Sequence, residues 1–163
     1  MNIFLQKKIL IYGLGKSGLS TFEFLKNKSR VFIYDDFKSK IYNSNVKKKI
    51  ISYQKVINFN FDRIIISPGI DVNKCKLSNF LKKNYDKVFT DLDIFYSFFK
   101  NKCITVTGTN GKSTTSQLLY EVLLDQRYDV KLAGNIGTPI LSIKKIKKKT
   151  LFIIEASSYQ LDY

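Results

Sequence analysis

The stretch Ile104-Thr105-Val106-Thr107-Gly108-Thr109-Asn110-Gly111-Lys112-Ser113-Thr114-Thr115 decides how this chain is read. A β-branched run enters a glycine-rich turn, and a helix with Leu118, Leu119 and Val122 as its apolar face leaves it. Glycines allow backbone N–H groups to close around an anion without a Cβ clash. The helix start adds unpaired N–H donors and about half a positive charge. Lys112 can reach the β- and γ-phosphates of a nucleotide, and the Ser113 hydroxyl can ligate Mg²⁺. The usual loop has a further glycine five residues before Gly111, where this chain has Val106, so only the Gly-Lys-Ser core is standard. An ordinary glycine turn is the alternative, and the Lys-Ser-Thr on a helix start favours phosphate.

Beyond this unit, Asp129 to Ala133 reads as a strand closed by Gly134-Asn135-Ile136-Gly137-Thr138-Pro139. Lys144 to Lys149 is a basic surface turn. Leu151-Phe152-Ile153-Ile154 is a buried strand that delivers Glu155. An acid at that point is the usual partner of a phosphate loop, holding Mg²⁺ directly or through water; a capping glutamate is the alternative. Parallel sheets are covered on both faces and usually have more than three strands. A chain stopping just past this strand, at Tyr163, is therefore expected to be the front part of a longer protein.

Towards the N-terminus, Lys8 to Tyr12 reads as a buried strand running into Gly13-Leu14-Gly15-Lys16-Ser17-Gly18, a G-x-G-x-x-G turn. A helix burying Leu19, Phe22 and Leu25 follows, then a strand from Arg30 to Tyr34 ending in Asp35 and Asp36. Asp35 lies 20 positions after Gly15, the spacing at which an acid meets a ribose hydroxyl in nucleotide folds. The alternative is a tight turn with Asp35 as a surface residue. Residues 38–62 are rich in lysine and asparagine and poorly patterned, with Lys47-Lys48-Lys49 as a solvated helix face. Ile64-Ile65-Ile66 is a further strand, and Ser67-Pro68-Gly69-Ile70 after it lies either at the ligand edge of a parallel sheet or in a plain type II turn. Leu77, Phe80 and Leu81 give a short helix, and Lys87 to Phe89 a strand. Thr90-Asp91-Leu92-Asp93 caps a helix whose Leu92, Phe95, Phe98 and Phe99 face inward.

The 163 residues suffice for one compact domain or two small ones, and 44% hydrophobic content permits a core. The net charge of +15 raises nucleic acid as a partner. However, only Arg30, Arg63 and Arg127 are arginines, the lysines are scattered, and no nucleic-acid motif is present, so a solvated lysine surface is the better reading. There is no histidine, which excludes histidine-based catalysis or metal binding within these residues. Cys75 and Cys103 make no disulfide framework. Residues 1–8 lack a signal-peptide core, and the apolar runs 9–12 and 151–154 are too short to span a membrane. These features predict a cytoplasmic protein with no membrane insertion.

The phosphate loop Thr107-Gly108-Thr109-Asn110-Gly111-Lys112-Ser113-Thr114 resembles that of the Mur ligases, the amino-acid-adding enzymes of peptidoglycan synthesis, in which the missing first glycine is the family's own variant. Gly13 to Ser20, Ser67 to Ile70, Gly134 to Gly137 and Glu155-Ala156-Ser157-Ser158-Tyr159-Gln160-Leu161 resemble the D-glutamate-adding branch, in order and across the chain. Ala156 and Tyr159 replace a more usual Leu and Phe, and Asp36 a more usual Thr. The resemblance implies an α/β fold. A small Rossmann-like N-terminal UDP-binding domain would cover residues 1–89. The start of a P-loop central domain with a mostly parallel sheet, read as incomplete, would cover residues 90–163.

It further implies roles. Leu14, Lys16 and Ser17 would line the pyrophosphate of UDP, Asp35 and Asp36 the uridine, and Gly69 the rim of the same site. Gly108, Thr109, Asn110, Gly111, Lys112, Ser113 and Thr114 would bind ATP. Lys112 and Glu155 would be catalytic, Ser113 and Glu155 would hold Mg²⁺, and Asn135, Ser157 and Gln160 would position UDP-N-acetylmuramoyl-L-alanine. Its carboxylate would attack the γ-phosphate of ATP, and the amine of D-glutamate would attack the resulting acyl phosphate. The D-glutamate pocket would lie outside this chain, as would the family's second metal site. A monomer, inactive alone as a ligase, is expected. Three rivals are a folylpolyglutamate-synthase-like ligase, a non-catalytic nucleotide-binding remnant or sensor, and an NAD-dependent oxidoreductase. The first shares the loop but not the N-terminal segments, the second does not explain why Lys112, Ser113 and Glu155 are kept, and the third has no place for a second phosphate loop.

Overall fold

The computed structural model describes residues 2–37 and 43–157. Their β-strands form two parallel sheets. The first, in the order β2-β1-β3-β4, consists of β1 (Lys8–Tyr12), β2 (Arg30–Tyr34), β3 (Arg63–Ile66) and β4 (Val88–Phe89). The second, in the order β5-β7-β6, consists of β5 (Cys103–Val106), β6 (Val130–Gly134) and β7 (Leu151–Glu155). Among the described residues there are six α-helices, α1 (Lys16–Leu25), α2 (Ser44–Lys47), α3 (Tyr53–Ile57), α4 (Ser78–Lys83), α5 (Asp91–Phe98) and α6 (Lys112–Asp125), and two 3₁₀ turns, Tyr85–Lys87 and Ile140–Ser142.

The near-continuous apolar runs of β1 and β3 are what a parallel sheet buried on both faces requires. Alternate residues go to opposite sides. Leu10, Tyr12, Phe32, Ile64 and Ile66 join one core with Phe61, Leu77 and Leu81. Ile9, Ile11, Val31, Ile33 and Ile65 join another, which runs on through Phe22 and Leu25 of α1 and Leu92, Ile94 and Phe95 of α5 to Phe152 and Ile154 of the second sheet. The Phe95 ring packs edge-on against Phe152 with centroids 4.8 Å apart. One apolar cluster therefore joins the two sheets, with α1 and α5 between them.

The poorly patterned stretch after β2 holds α2 and α3, each started by a short polar cap: Asn43 accepts from the Val46 N–H and Ser52 from the Lys55 N–H. Val46 and Val56 are the single buried residue of each helix, too little apolar signal for a periodic reading of sequence. Helix α6 departs from expectation more sharply. It begins where the sequence predicts, but Leu118 is 57% and Val122 52% exposed, and Ser116 is its only buried residue. The helix meets the sheet around this small side chain, with Leu119 and Leu123 partly buried, while Leu118, Val122 and Leu124 stay exposed. Ile104 of β5, an edge strand, is likewise 38% exposed.

A buried aromatic and acidic cluster sits at the end of the first sheet. The Tyr12 hydroxyl donates to Asp36 Oδ2 at 2.6 Å, and the Tyr12 and Tyr34 rings are 5.5 Å apart. Burial, reinforced by Asp36, pushes the Tyr34 phenol up to about 12 and raises Tyr12 as well. In the unfolded chain these phenols ionise near pH 10. The folded state thus retains protons that the unfolded state has released. Their contribution is fully present below pH 10 and is lost as pH rises towards 12. The thermal midpoint should fall across that window, and Tyr34→Phe should flatten the fall; a pH-independent midpoint from 9 to 12 would contradict the assignment.

Candidate functional site

Both glycine turns leave the carboxyl end of a parallel strand and start a helix with Lys-Ser. In the first, Gly15 is the N-cap of α1, and in the second Gly111 is the N-cap of α6. Neither has a side chain to cap the helix, and neither helix has an acid in its first turn. The first-turn N–H groups of both are therefore open to an anion.

The first turn is held from three sides. The Gly13 N–H donates to Tyr34 O, the Ser67 N–H to Tyr12 O, and the Ser67 hydroxyl to Gly13 O at 2.9 Å. The Asp35 carboxylate accepts from the Leu14 N–H at 2.5 Å and the Phe37 N–H at 2.7 Å. The last glycine of the motif is there for close approach: a Cβ on Gly18 would stand 1.9 Å from Gly13 O. The turns after β1 and β3 lie side by side because the chain passes from β2 on one side of β1 to β3 on the other, the reversal of strand order at which α/β sheets open a ligand crevice.

A cavity of about 340 Å³ fills that crevice and reaches the second sheet. Leu14, Lys16, Ser17, Asp35 and Gly69 line it from the first sheet, and Asn135 with its flanking glycines lines it from the second. Asp36 is not among the lining residues. It is directed to Tyr12 instead, and its other oxygen, Oδ1, is buried without a hydrogen-bond partner. Sequence reasoning overlooked Asp91, which also lines the cavity and is only 4% exposed. Ser157 lies past the end of β7 and outside the lining, and Gln160 falls outside the described residues.

The second turn follows β5. Val106 is the last residue of that strand and pairs with Glu155 of β7. The chain is still extended where a first glycine would stand. The left-handed positions come later, at Gly108 (φ +139°) and Gly111 (φ +75°). The Lys112 ammonium donates to Gly108 O at 2.7 Å and lies 3.4 Å from Thr109 O, arched over the loop. Thr109, Asn110, Ser113 and Thr114 are exposed.

Glu155 stands between both turns of the second sheet. It pairs with Val106 on one side and Gly134 on the other, and its backbone O accepts from the Asn135 N–H at 3.0 Å. A Cβ on Gly134, whose φ is +105°, would come within 2.1 Å of Glu155 O, so only glycine fits there. The Glu155 side chain is 4% exposed, and its Oε2 is buried with no hydrogen-bond partner. A buried carboxylate oxygen left unpaired is costly, and a cation beside it removes that cost. Among the described residues no three His, Cys, Asp or Glu side chains gather into a metal-binding group. One carboxylate and one hydroxyl suit Mg²⁺, which keeps several waters and takes its other ligands from phosphates.

Residues 7–88 match the family described as Mur ligase MurD-like, N-terminal domain, and residues 106–163 match the Mur ligase middle domain. The chain belongs to the Mur ligase family. It is 37% identical to the UDP-N-acetylmuramoylalanine--D-glutamate ligase of Rickettsia felis, over 99% of this chain and 36% of that protein. It is 38% identical to the ligase of the same name from Rickettsia conorii (99% and 33%) and 36% identical to that of Caldicellulosiruptor bescii (96% and 36%). The chain spans about a third of the length of these curated relatives. A solved structure, UDP-N-acetylmuramate-alanine ligase MurC from Thermotoga maritima, is similar with a TM-score of 0.47 at 17% identity, over 92% of this chain and 37% of that one.

Proposed function

We propose that this chain carries the UDP-sugar and ATP sites of a ligase that joins D-glutamate to UDP-N-acetylmuramoyl-L-alanine in peptidoglycan synthesis. The observation that carries this reading is the cavity shared by the two sheets. Its floor is the Gly13–Ser17 turn, and its far wall is the Gly134–Pro139 turn, which is anchored on Glu155 beside the phosphate loop. A long ligand held by its UDP end at the first turn would direct its other end towards the second sheet. We take the two domains to meet between residues 89 and 90, in line with the two sheets and the two family matches.

In this reading the N–H groups at the start of α1 hold the pyrophosphate, with Lys16 beside it, Leu14 and Gly69 line the same site, and Asp35 serves the uridine, while Asp36 stays turned to Tyr12. Asn135, Ser157 and Gln160 position the muramoyl-alanine arm. Residues 108–114 cradle the triphosphate of ATP. The alanyl carboxylate attacks the γ-phosphorus, the bond to the β-phosphate oxygen breaks, and ADP leaves an acyl phosphate. The amine of D-glutamate, whose pocket would lie outside these residues, then attacks the acyl carbon and expels phosphate. Phosphoryl transfer demands alignment and neutralised charge more than covalent help. Lys112 moves from the loop carbonyls to the transferring group, and the α6 N–H groups stabilise the same charge. Glu155 and Ser113 would hold Mg²⁺, which neutralises phosphate charge when bound.

Among the described residues no helix is long and apolar enough to cross a membrane; a cytoplasmic location and a monomeric state belong to the same proposal. Calorimetry with UDP, UDP-N-acetylglucosamine and UDP-N-acetylmuramoyl-L-alanine tests the substrate. The last should bind most tightly; equal affinity for all three would reduce the site to a UDP receptor. Glu155→Gln should make ATP binding about tenfold less dependent on Mg²⁺, as loss of one charged ligand implies, and leave UDP binding unchanged. An unaltered Mg²⁺ dependence would remove Glu155 from the metal site.

A further inference from the structure

Asp91 is a buried carboxylate in a pocket read as an anion site, and its place needs a reason. Capping does not supply one. At the start of α5 the Asp93 carboxylate accepts from both the Thr90 N–H (2.7 Å) and the Thr90 hydroxyl (2.8 Å), so α5 is closed without Asp91. Asp91 is instead aimed across the gap between helices. Its Oδ2 accepts the hydroxyl proton of Ser17, at 2.5 Å and 74 residues away in sequence. Two structural circumstances support a carboxylate there. It stands in the first turn of α5, where the helix dipole favours negative charge, and it receives a charge-assisted hydrogen bond.

We propose that Asp91 is a positioning residue for the nucleotide pocket, acting through Ser17; this rests on the reading of that pocket as the UDP site. With its proton given to Asp91, Ser17 Oγ has none to donate to a phosphate, so the contribution of Ser17 is its backbone N–H. The side chain serves to fix the first turn of α1. That turn has only Gly15 as its N-cap, with no side chain of its own to hold it, and its N–H groups must converge on the pyrophosphate. Ser17 is fastened on its other side as well, since its backbone O accepts from the Ser20 hydroxyl at 2.8 Å. Because α5 leads directly into β5 and the phosphate loop, the bond also ties the UDP turn to the segment that carries the ATP turn.

Two opposed effects separate this role from a plain electrostatic one. A carboxylate near a pyrophosphate repels it, so removing only the charge favours binding; removing the acceptor loosens the turn and disfavours it. Asp91→Asn keeps an acceptor for Ser17 and loses the charge; Asp91→Ala loses both. In calorimetry with UDP as the probe, Asp91→Ala should bind about tenfold more weakly, the order of one charged hydrogen bond, and Asp91→Asn at least as tightly as the parent. Ser17→Ala should reproduce the Asp91→Ala loss, and the double variant should add nothing to it. Two results would overturn the proposal: both Asp91 variants binding more tightly, which would leave a charge effect alone, or additive losses in the double variant. If the parent chain itself does not bind UDP, the reading of the pocket falls, and with it the role of Asp91; if the parent binds and Asp91→Ala binds equally well, only the role of Asp91 falls.

Discussion

Lys112→Ala should weaken MgATP binding roughly ten- to hundredfold and leave UDP binding within about twofold. Losing a charge-assisted hydrogen bond to a phosphate is worth about 1.5–3 kcal/mol. The loop itself should survive the change, because its shape comes from Gly108 and Gly111 and from the pairing of Val106 with Glu155. What disappears is the ammonium now held by Gly108 O at 2.7 Å. In the complete ligase, acyl phosphate formation should stop. Lys112→Arg should restore less than full ATP affinity, since a planar fork does not replace a compact ammonium in a loop of this size. Equal loss of UDP and ATP binding in Lys112→Ala would mean that the two glycine turns do not form separate sites.

Gly18→Ala should cost about 3 kcal/mol or more, at the upper end of overpacking effects, and lower the thermal midpoint by about 10 °C for a chain of this size. The added methyl would meet Gly13 O at 1.9 Å and the Ser67 hydroxyl at 3.0 Å. A side-chain oxygen can rotate away, but the carbonyl belongs to the backbone of the turn. Helix α1 would have to lift from β1, and the turn would lose the geometry that directs its N–H groups into the cavity. UDP affinity should therefore fall with stability. Gly15→Ala is the internal comparison: nothing lies within 4 Å of a Cβ there, and its φ is −72°. That variant should change the thermal midpoint by little. Similar losses for both would show that α1 does not press on the turn as described.

Much of this arrangement is legible in the residues themselves. Short apolar runs mark β1, β3, β5 and β7, with a glycine turn after the first three and the acid Glu155 at the end of the last, and the two Gly-to-Lys-Ser transitions mark the starts of α1 and α6. These are local signals, carried by a few adjacent side chains. What sequence does not show depends on partners far away in the chain. Asp35 and Asp36 are adjacent acids with one expected role, yet Asp35 turns to the Leu14 and Phe37 N–H groups in the crevice while Asp36 turns to the Tyr12 hydroxyl. Successive residues at the end of a strand point to opposite faces, and only the fold decides which face holds the cavity. Asp91 read as a cap because Thr-Asp-x-Asp is a helix start; its bond to Ser17 is invisible to any local pattern. The Leu118 and Val122 stripe shows the converse, because helical periodicity identifies an apolar face without saying whether anything covers it.

The central claim is that the chain holds two independent nucleotide sites, one on each sheet, and the most direct test is to titrate MgATP into protein already saturated with UDP. One equivalent of ATP should bind, with an affinity close to that of the UDP-free protein, and Lys112→Ala should weaken this second binding roughly ten- to hundredfold without releasing UDP. Competition between UDP and MgATP for a single equivalent would contradict the account.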